Sequence, residues 1–458
     1  MLQQYKYIYF LGIGGIGMSA LARWFKINGF EVAGYDRTAT ALTESLQSEG
    51  IQIHFDDNIN LIPTQFLLDS NLTLVVFTPA IPTTHTEYNY LKDNGFKLQK
   101  RSQVLGLIAS EMFTIAVAGT HGKTTTSSMV AHLLRHSGMN CAAFLGGITQ
   151  NYGTNMLLNQ PTPDLSQVPC VVEADEYDRS FLTLFPNIAI VTSTDADHLD
   201  IYGSHDSVLD SFAAFVDQIK PEGHFFMKYG LQLADKTIAN VATYGLYEGD
   251  YHATNIRIEN ANFIFDIVYP NGTIADCALQ VPGFHNVENA VAATAAALKV
   301  GLTAEQIREA IATFRGVKRR FEYYLKTPRK VLIDDYAHHP AEVAAFLSSV
   351  KALYPDRHVT AIFQPHLYTR TRDFASEFAQ SLSLADRVVL LEIYPARELP
   401  IEGVSSDLIF QDITSDKVSC LKRDLVSTIK EMPTDVVLTI GAGDIDTFIS
   451  SLKIVLES

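Results

Sequence analysis

The 458-residue chain is 47% hydrophobic and 19% charged, the balance of a globular protein with room for roughly three domains of ~150 residues each. Its 35 basic and 51 acidic residues give a net charge of -16, which argues against a nucleic-acid partner because most of the surface would repel a polyanion. Apolar runs of about 18 residues, long enough to span a bilayer, are lacking, and so is any C-x-x-C pair among Cys141, Cys170, Cys277 and Cys420. No membrane insertion, disulfide framework or zinc knuckle is therefore expected. The opening residues run into a glycine-rich turn without the basic stretch of a secretory signal, so the expected compartment is the cytoplasm.

Apolar Tyr7 to Leu11 predicts a strand. G-I-G-G-I-G follows at Gly12, Gly14, Gly15 and Gly17, then a helical pattern from Met18 to Ile27 and a second strand ending at Asp36. A G-x-G-x-x-G turn in a βαβ unit lets the backbone approach a diphosphate at a helix N-terminus. A dinucleotide or a UDP-sugar would serve equally. A strand over Leu72 to Phe77 and a βα step through Arg101 to a helix near Val104 to Ser110 complete a first domain, residues 1–108.

The second domain, 109–314, opens on strand Phe113 to Ala118 and the turn Gly119-Thr120-His121-Gly122-Lys123-Thr124-Thr125. In a phosphate-binding turn of this kind backbone N–H groups cradle phosphate oxygens, the lysine reaches the terminal phosphates and the hydroxyl after it can ligate Mg2+. A buried strand then delivers E-A-D-E-Y-D at Glu173 to Asp178, and such crowded carboxylates call for a shared cation, with Mg2+ the natural candidate. A further strand, Asn187 to Thr192, leads to His198 beside Asp197. Segments 223–227, 239–244, 252–258, 263–268 and 273–279 alternate in polarity and predict a small antiparallel sheet. His285, Asn286 and Asn289 fall around the start of an Ala-rich helix, where they could cap the helix or read a base edge.

The third domain, 315–458, begins at R-G-V-K-R-R-F. Its strands deliver D-D-Y-A-H-H-P at Asp334 to Pro340, Q-P-H-L-Y-T-R-T-R-D at Gln364 to Asp373, E-I-Y-P-A-R and finally G-A-G-D. Each polar cluster follows the carboxyl end of a strand, where open α/β sheets bind ligands. The predicted fold class is α/β in three domains: a Rossmann-like first domain, a central ATPase with a mostly parallel sheet plus a small antiparallel one, and a Rossmann-like third domain.

Taken together, G-I-G-G-I-G-M-S, G-T-H-G-K-T-T, E-A-D-E-x-D, D-H-x-D-x-Y, H-N-x-x-N-A, R-R-F, D-D-Y-A-H-H-P and F-Q-P-H-x-Y-T-R-T-R resemble the Mur ligase family along essentially the whole chain. F-Q-P-H-x-Y-T-R-T-R and E-I-Y-P-A are most similar to its alanine-adding branch, as is the absence of lysine from residues 201–219, where other branches carry a carbamylated one. The resemblance implies ATP-dependent amide formation between the lactyl carboxylate of UDP-N-acetylmuramate and L-alanine, by a monomer or homodimer. The competing reading is the family's recycling branch, which attaches the L-Ala-γ-D-Glu-diaminopimelate tripeptide.

It implies residue roles as well. Gly12, Gly14, Gly15, Gly17 and Asp36 would hold the UDP moiety; Gly119, Thr120, His121, Gly122, Lys123, Thr124 and Thr125 the ATP phosphates, with Arg320; His285 and Asn289 the adenine; and Asp335 the ribose. Thr124 and Glu173 would ligate one Mg2+ and His198 another, while Tyr336, His338 and Arg370 would position the amino acid. Leu367 stands where relatives often carry a basic or polar residue, which leaves the amino-acid carboxylate to Arg370.

Overall fold

The computed structural model describes residues 2–78, 80–160, 162, 164–195, 199–259, 262–396, 398–432 and 434–457. They build α/β domains around three sheets, gathered into two compact units. One unit comprises Met1–His252, Val268–Gly272 and Asn289–Ala310; the other comprises Ala253–Ile267, Thr273–Glu288 and Ile311–Ser458. No helix among the described residues is long and apolar enough to cross a membrane.

In the first unit, β1 (Tyr7–Leu11), β2 (Glu31–Tyr35), β3 (Gln52–His54), β4 (Thr73–Phe77) and β5 (Lys97–Lys100) lie parallel in the order β3-β2-β1-β4-β5. Helices α1 (Ile16–Ile27), α2 (Ala41–Ser48), α3 (Thr64–Leu67), α4 (Thr86–Asp93) and α5 (Arg101–Ser110) alternate with the strands. Central strands of a parallel sheet are covered on both faces. Accordingly Ile8, Tyr9, Phe10, Leu74, Val75 and Val76 have no exposed surface. Strand order reverses at β1, so the Gly12–Gly17 turn sits at the switch point, where the sheet opens to a ligand. Helix α1 begins earlier than the pattern suggested, which puts Gly17 inside its first turn.

The second sheet of this unit contains β6 (Phe113–Ala118), β7 (Ala142–Phe144), β8 (Met156–Leu157), β9 (Pro169–Glu173), β10 (Ile188–Val191), β11 (His224–Lys228) and β12 (Asn240–Gly245), with α6 (Lys123–His136), α7 (Leu199–Tyr202) and α8 (His205–Asp217) between strands. Their order is β12-β11-β10-β6-β9-β7-β8, and every pair is parallel except the β7–β8 hairpin. Two strands expected in the antiparallel sheet, β11 and β12, thus extend the parallel one instead. The reason is the connections: α8 returns the chain so that His224 starts beside Ile188, and residues 229–239 return it again to bring Asn240 beside His224.

The second unit holds most of an antiparallel arm formed by β13 (Tyr251–Glu259), β14 (Asn262–Tyr269) and β15 (Gly272–Leu279). Phe263, Phe265 and Ile267 alternate inward along β14, the period-two signature that the sequence carried. The chain continues through α9 (Phe284–Val300) and α10 (Ala304–Thr313).

The third sheet uses β16 (Glu322–Lys326), β17 (Val331–Asp335), β18 (Val359–Phe363), β19 (Arg387–Leu390), β20 (Asp416–Ser419) and β21 (Val436–Ile440), ordered β16-β17-β21-β18-β19-β20. Around it lie α11 (Pro340–Leu353), α12 (Tyr368–Asp373), α13 (Ala375–Leu382), α14 (Asp407–Phe410), α15 (Leu425–Lys430) and α16 (Ile449–Glu457). Only β16 runs against the others. Its first residue, Glu322, pairs with Asp334 near the end of β17, so the R-R-F turn arrives at the carboxyl edge of the sheet.

Candidate active site

The turn between β6 and α6 is fixed by sterics. Gly119 has φ of +135°, and a Cβ there would stand 2.1 Å from the Thr192 hydroxyl, so only glycine fits. Thr192 Oγ1 donates to the carbonyls of Ala118, at 3.1 Å, and His121. Ser193 Oγ lies 2.8 Å from Thr120 Oγ1 and accepts the His121 N–H at 2.8 Å. The residues following β10 therefore hold the phosphate turn in shape.

Lys123 opens α6. Its ammonium donates to Gly119 O at 2.6 Å and meets Glu176 at 2.8 Å, a carboxylate whose side chain is 1% exposed. Burial alone would pull the Lys123 pKa down; Glu176, Asp175 and Glu173 outweigh it and hold the group above its ordinary value. Thr124 Oγ1 donates to Glu173 Oε1 at 2.9 Å, and Glu173 Oε2 accepts the Gly146 N–H at 2.8 Å. Burial raises the Glu173 pKa, opposed first by Lys123 and then by these hydrogen bonds. Behind the turn, Asn289 Oδ1 accepts from Thr126 Oγ1 at 3.1 Å and faces Gly122. Thr125 is buried in the first turn of α6. His198 lies outside the described residues.

At the first glycine-rich turn, Asp36 Oδ2 accepts the Gly14 N–H at 2.7 Å and Oδ1 the Thr38 N–H at 3.1 Å, so this carboxylate shapes the turn itself. A Cβ on Gly17 would stand 2.8 Å from the Arg101 guanidinium, which places a cation over the turn at the N-terminus of α1.

In the second unit the R-R-F turn is drawn tight. Arg319 and Phe321 both take left-handed backbone, φ of 59° and 50°, on either side of Arg320. Arg319 Nε donates to Asp334 at 3.0 Å and its Nη2 to Gly441 O at 2.6 Å, while the Phe321 N–H donates to Asp335 Oδ2 at 2.8 Å. Arg320 is thereby turned over the Tyr336 ring, 5.3 Å from its centroid, with Nη1 3.7 Å from Glu342. Burial raises the Asp335 pKa to about 6, against Arg320 and two backbone N–H donors.

Glu342 also accepts the His338 N–H at 3.0 Å and lies 3.3 Å from His338 Nδ1. The His338 ring is 6.0 Å from His366, which stacks on Tyr394 at 5.8 Å. Burial drives both histidines down to about 4, and the nearby Arg370 charge pushes the same way. His285 is likewise held down to about 4 by burial and then by Arg320, and its Nδ1 has no hydrogen-bond partner among the described residues. Arg370 is 8% exposed on α12. Glu398 accepts from the backbone N–H and hydroxyl of Thr369, at 3.0 and 2.5 Å, in the first turn of that helix.

Three consecutive stretches match family descriptions: residues 7–112 the Mur ligase family, catalytic domain; 117–297 the Mur ligase middle domain; and 319–443 the Mur ligase, glutamate ligase domain. The chain is 49% identical over 451 residues to the UDP-N-acetylmuramate--L-alanine ligase of Phocaeicola vulgatus, covering 98% of this chain and 97% of the relative. The chain belongs to the Mur ligase family. The ligase of the same name from Parabacteroides distasonis is 50% identical over 453 residues, again covering 98% and 97%. Among solved structures, the UDP-N-acetylmuramate-alanine ligase of Thermotoga maritima superposes with a TM-score of 0.78 at 29% identity over 98% of both chains. A murein peptide ligase from Psychrobacter arcticus shares the fold, with a TM-score of 0.68 at 24% identity over 98% of both chains.

The structure of this Mur ligase adds neighbours that motif reading passed over. Glu176 is the counter-ion of Lys123, Gly146 holds Glu173, Ser193 holds the phosphate turn, and Glu342 joins Arg320 to His338. Glu176 lay within a recognised acidic run. Gly146 and Ser193 act through long-range contacts for which local spacing gives no signal, whereas the i,i+4 spacing of His338 and Glu342 was there to be read.

Proposed function

We infer that this Mur ligase joins the lactyl carboxylate of UDP-N-acetylmuramate to L-alanine at the expense of ATP, in the cytoplasm, for peptidoglycan precursor synthesis. The observation that supports the chemistry is the convergence of Lys123, Thr124 and Glu173 at the carboxyl ends of β6 and β9. The choice of amino acid rests on the full-length likeness, at 49 and 50% identity, to ligases of that name.

A free carboxylate does not acylate an amine in water, because oxide is a poor leaving group. Transfer of the γ-phosphoryl group of ATP to the carboxylate gives an acyl phosphate and ADP; the amine attacks its carbonyl, and the tetrahedral intermediate expels inorganic phosphate. The first step brings two anions together, so cations do most of the work. Lys123 leaves Glu176 for the phosphates, and Arg320 adds a second fixed charge. Thr124 and Glu173 offer hard oxygen donors 2.9 Å apart, which suits Mg2+, an ion usually held by one or two carboxylates together with substrate phosphates. Bound there, Mg2+ would neutralise phosphate charge; we assign a second ion to His198.

The remaining assignments divide the work among residues 1–108, 109–314 and 315–458. Gly12, Gly14, Gly15, Gly17 and Asp36 take the UDP moiety, His285 and Asn289 the adenine, and Asp335 the ribose. Tyr336 and His338 frame the amino acid, whose carboxylate pairs with the Arg370 guanidinium.

Release of ADP by the purified protein with ATP, Mg2+ and UDP-N-acetylmuramate tests this reading. L-alanine is expected to support turnover and the L-Ala-γ-D-Glu-diaminopimelate tripeptide is not. Turnover with the tripeptide alone would overturn the amino-acid assignment and leave the phosphoryl chemistry standing.

A further inference from the structure

The β7–β8 hairpin closes residues 145–155 into a compact loop that meets the first glycine-rich turn directly and the phosphate turn through Glu173. Leu145 N donates to Asn155 O at 2.9 Å, and the Thr149 N–H and hydroxyl both donate to Thr154 O at 2.9 Å, so the loop is bound to itself at its base and tip. At one end Gly146 N donates to Glu173 Oε2, and the approach is so close that a Cβ on Gly146 would stand 2.3 Å from that carboxylate. At the other end Asn155, 3% exposed, donates its side-chain amide to Ile16 O at 2.8 Å. Ile16 is the first residue of α1, inside G-I-G-G-I-G. An unbroken run of contacts therefore leads from Thr124 and Glu173 through Gly146, Leu145 and Asn155 to the first turn.

We propose that Asn155 is a positioning residue that couples the two turns, so that a diphosphate-bearing sugar nucleotide at Gly12–Gly17 sets the orientation of Glu173 and thereby the affinity for Mg2+-nucleotide. The physical argument is one of shared restraint. Backbone N–H groups that wrap a diphosphate fix the first turn of α1; Ile16 O then holds Asn155, and Asn155 holds the loop whose Gly146 N–H aims Glu173. The Asn155 amide is buried and its contact is direct, so the link does not depend on a mobile surface residue. By reciprocity, nucleotide tightens the sugar nucleotide by the same factor. This inference rests on the assignment of the two turns made above.

The test is calorimetric titration of the full-length protein with the β,γ-imido analogue of ATP plus Mg2+, with and without saturating UDP-N-acetylmuramate. In the unaltered protein the sugar nucleotide is expected to tighten analogue binding about tenfold; in Asn155→Leu, which keeps the branched shape without charge but loses the N–H donors, the factor should fall below about twofold while each ligand alone binds almost as before. A second measurement needs no variant: UDP-N-acetylmuramate alone should slow amide exchange across residues 145–155. Equal coupling in both proteins, no coupling in the unaltered one, or unchanged exchange in this loop would each overturn the inference. Loss of affinity for both ligands separately would reduce Asn155 to a purely structural part and overturn it as well. Failure of UDP-N-acetylmuramate to bind the unaltered protein would instead bring down the assignment of the first turn itself, a result readily told from the others.

Discussion

The phosphate turn and the carboxyl edge of the third sheet bury ionisable groups by opposite means. At the turn, Lys123 is shielded from water yet stays charged because Glu176, Asp175 and Glu173 surround it. At the third sheet, His338 and His366 are driven to the neutral form by burial, with Arg370 reinforcing the effect. The difference suits the roles proposed for the two places. Phosphoryl transfer between anions needs a permanent positive charge that is already desolvated, whereas a site for a small amino acid gains from neutral walls that leave a single guanidinium to define where a carboxylate goes.

The comparison is broken most severely at Lys123. Lys123→Ala removes the fixed cation, leaves Glu173 and Glu176 buried without it, and should cut ADP release about a thousandfold. A loss under tenfold would mean that the turn's charge does not act on the phosphates. Next comes Arg370→Lys, which keeps the charge and loses the planar fork; the KM for L-alanine should rise roughly 10- to 100-fold with kcat little changed. An equal effect on the KM for ATP would show that Arg370 does not belong to the amino-acid side.

The smallest effect sharpens the contrast through pH. Histidines held near 4 instead of 6.5 refuse protons that the unfolded chain accepts. Their contribution to stability is complete above pH 6.5 and is lost as the pH falls towards 4, at about 1.4 kcal/mol per pH unit for each histidine. Denaturant unfolding of the protein and of His366→Gln between pH 7 and pH 4.5 should show a shallower acid slope in the variant. Identical slopes would refute the neutral-wall description.

The parts legible in the sequence were those that local rules control. G-T-H-G-K-T-T between a buried strand and a helix announced a strand–turn–helix, and Glu173, Asp335 and Gln364 announced open sheets with polar clusters at their carboxyl edges. The direction of β11 and β12 was misread: the alternation expected of them is absent from β11, where Phe225, Phe226 and Met227 are buried in succession as in a strand covered on both faces, and polarity says nothing about whether a helix or a tight turn brings the chain back. Nor could Glu176 be singled out as the partner of Lys123 among four neighbouring carboxylates, since that depends on the 3-10 turn at Tyr177–Thr183 that follows it. The role of Asp36 illustrates the same limit: spacing marks an acidic residue after β2, while in the fold its carboxylate accepts the Gly14 N–H.

The pair of left-handed residues beside Arg320 has a practical consequence. Because Arg319 and Phe321 are pinned by Asp334, Gly441 O and Asp335, the main chain sets where the side chain of position 320 starts, and its contacts with Tyr336 and Glu342 set where the guanidinium ends. A change of side chain at 320 should therefore act on charge more than on the path of the main chain, which makes the position an electrostatic lever on the buried Asp335 carboxyl.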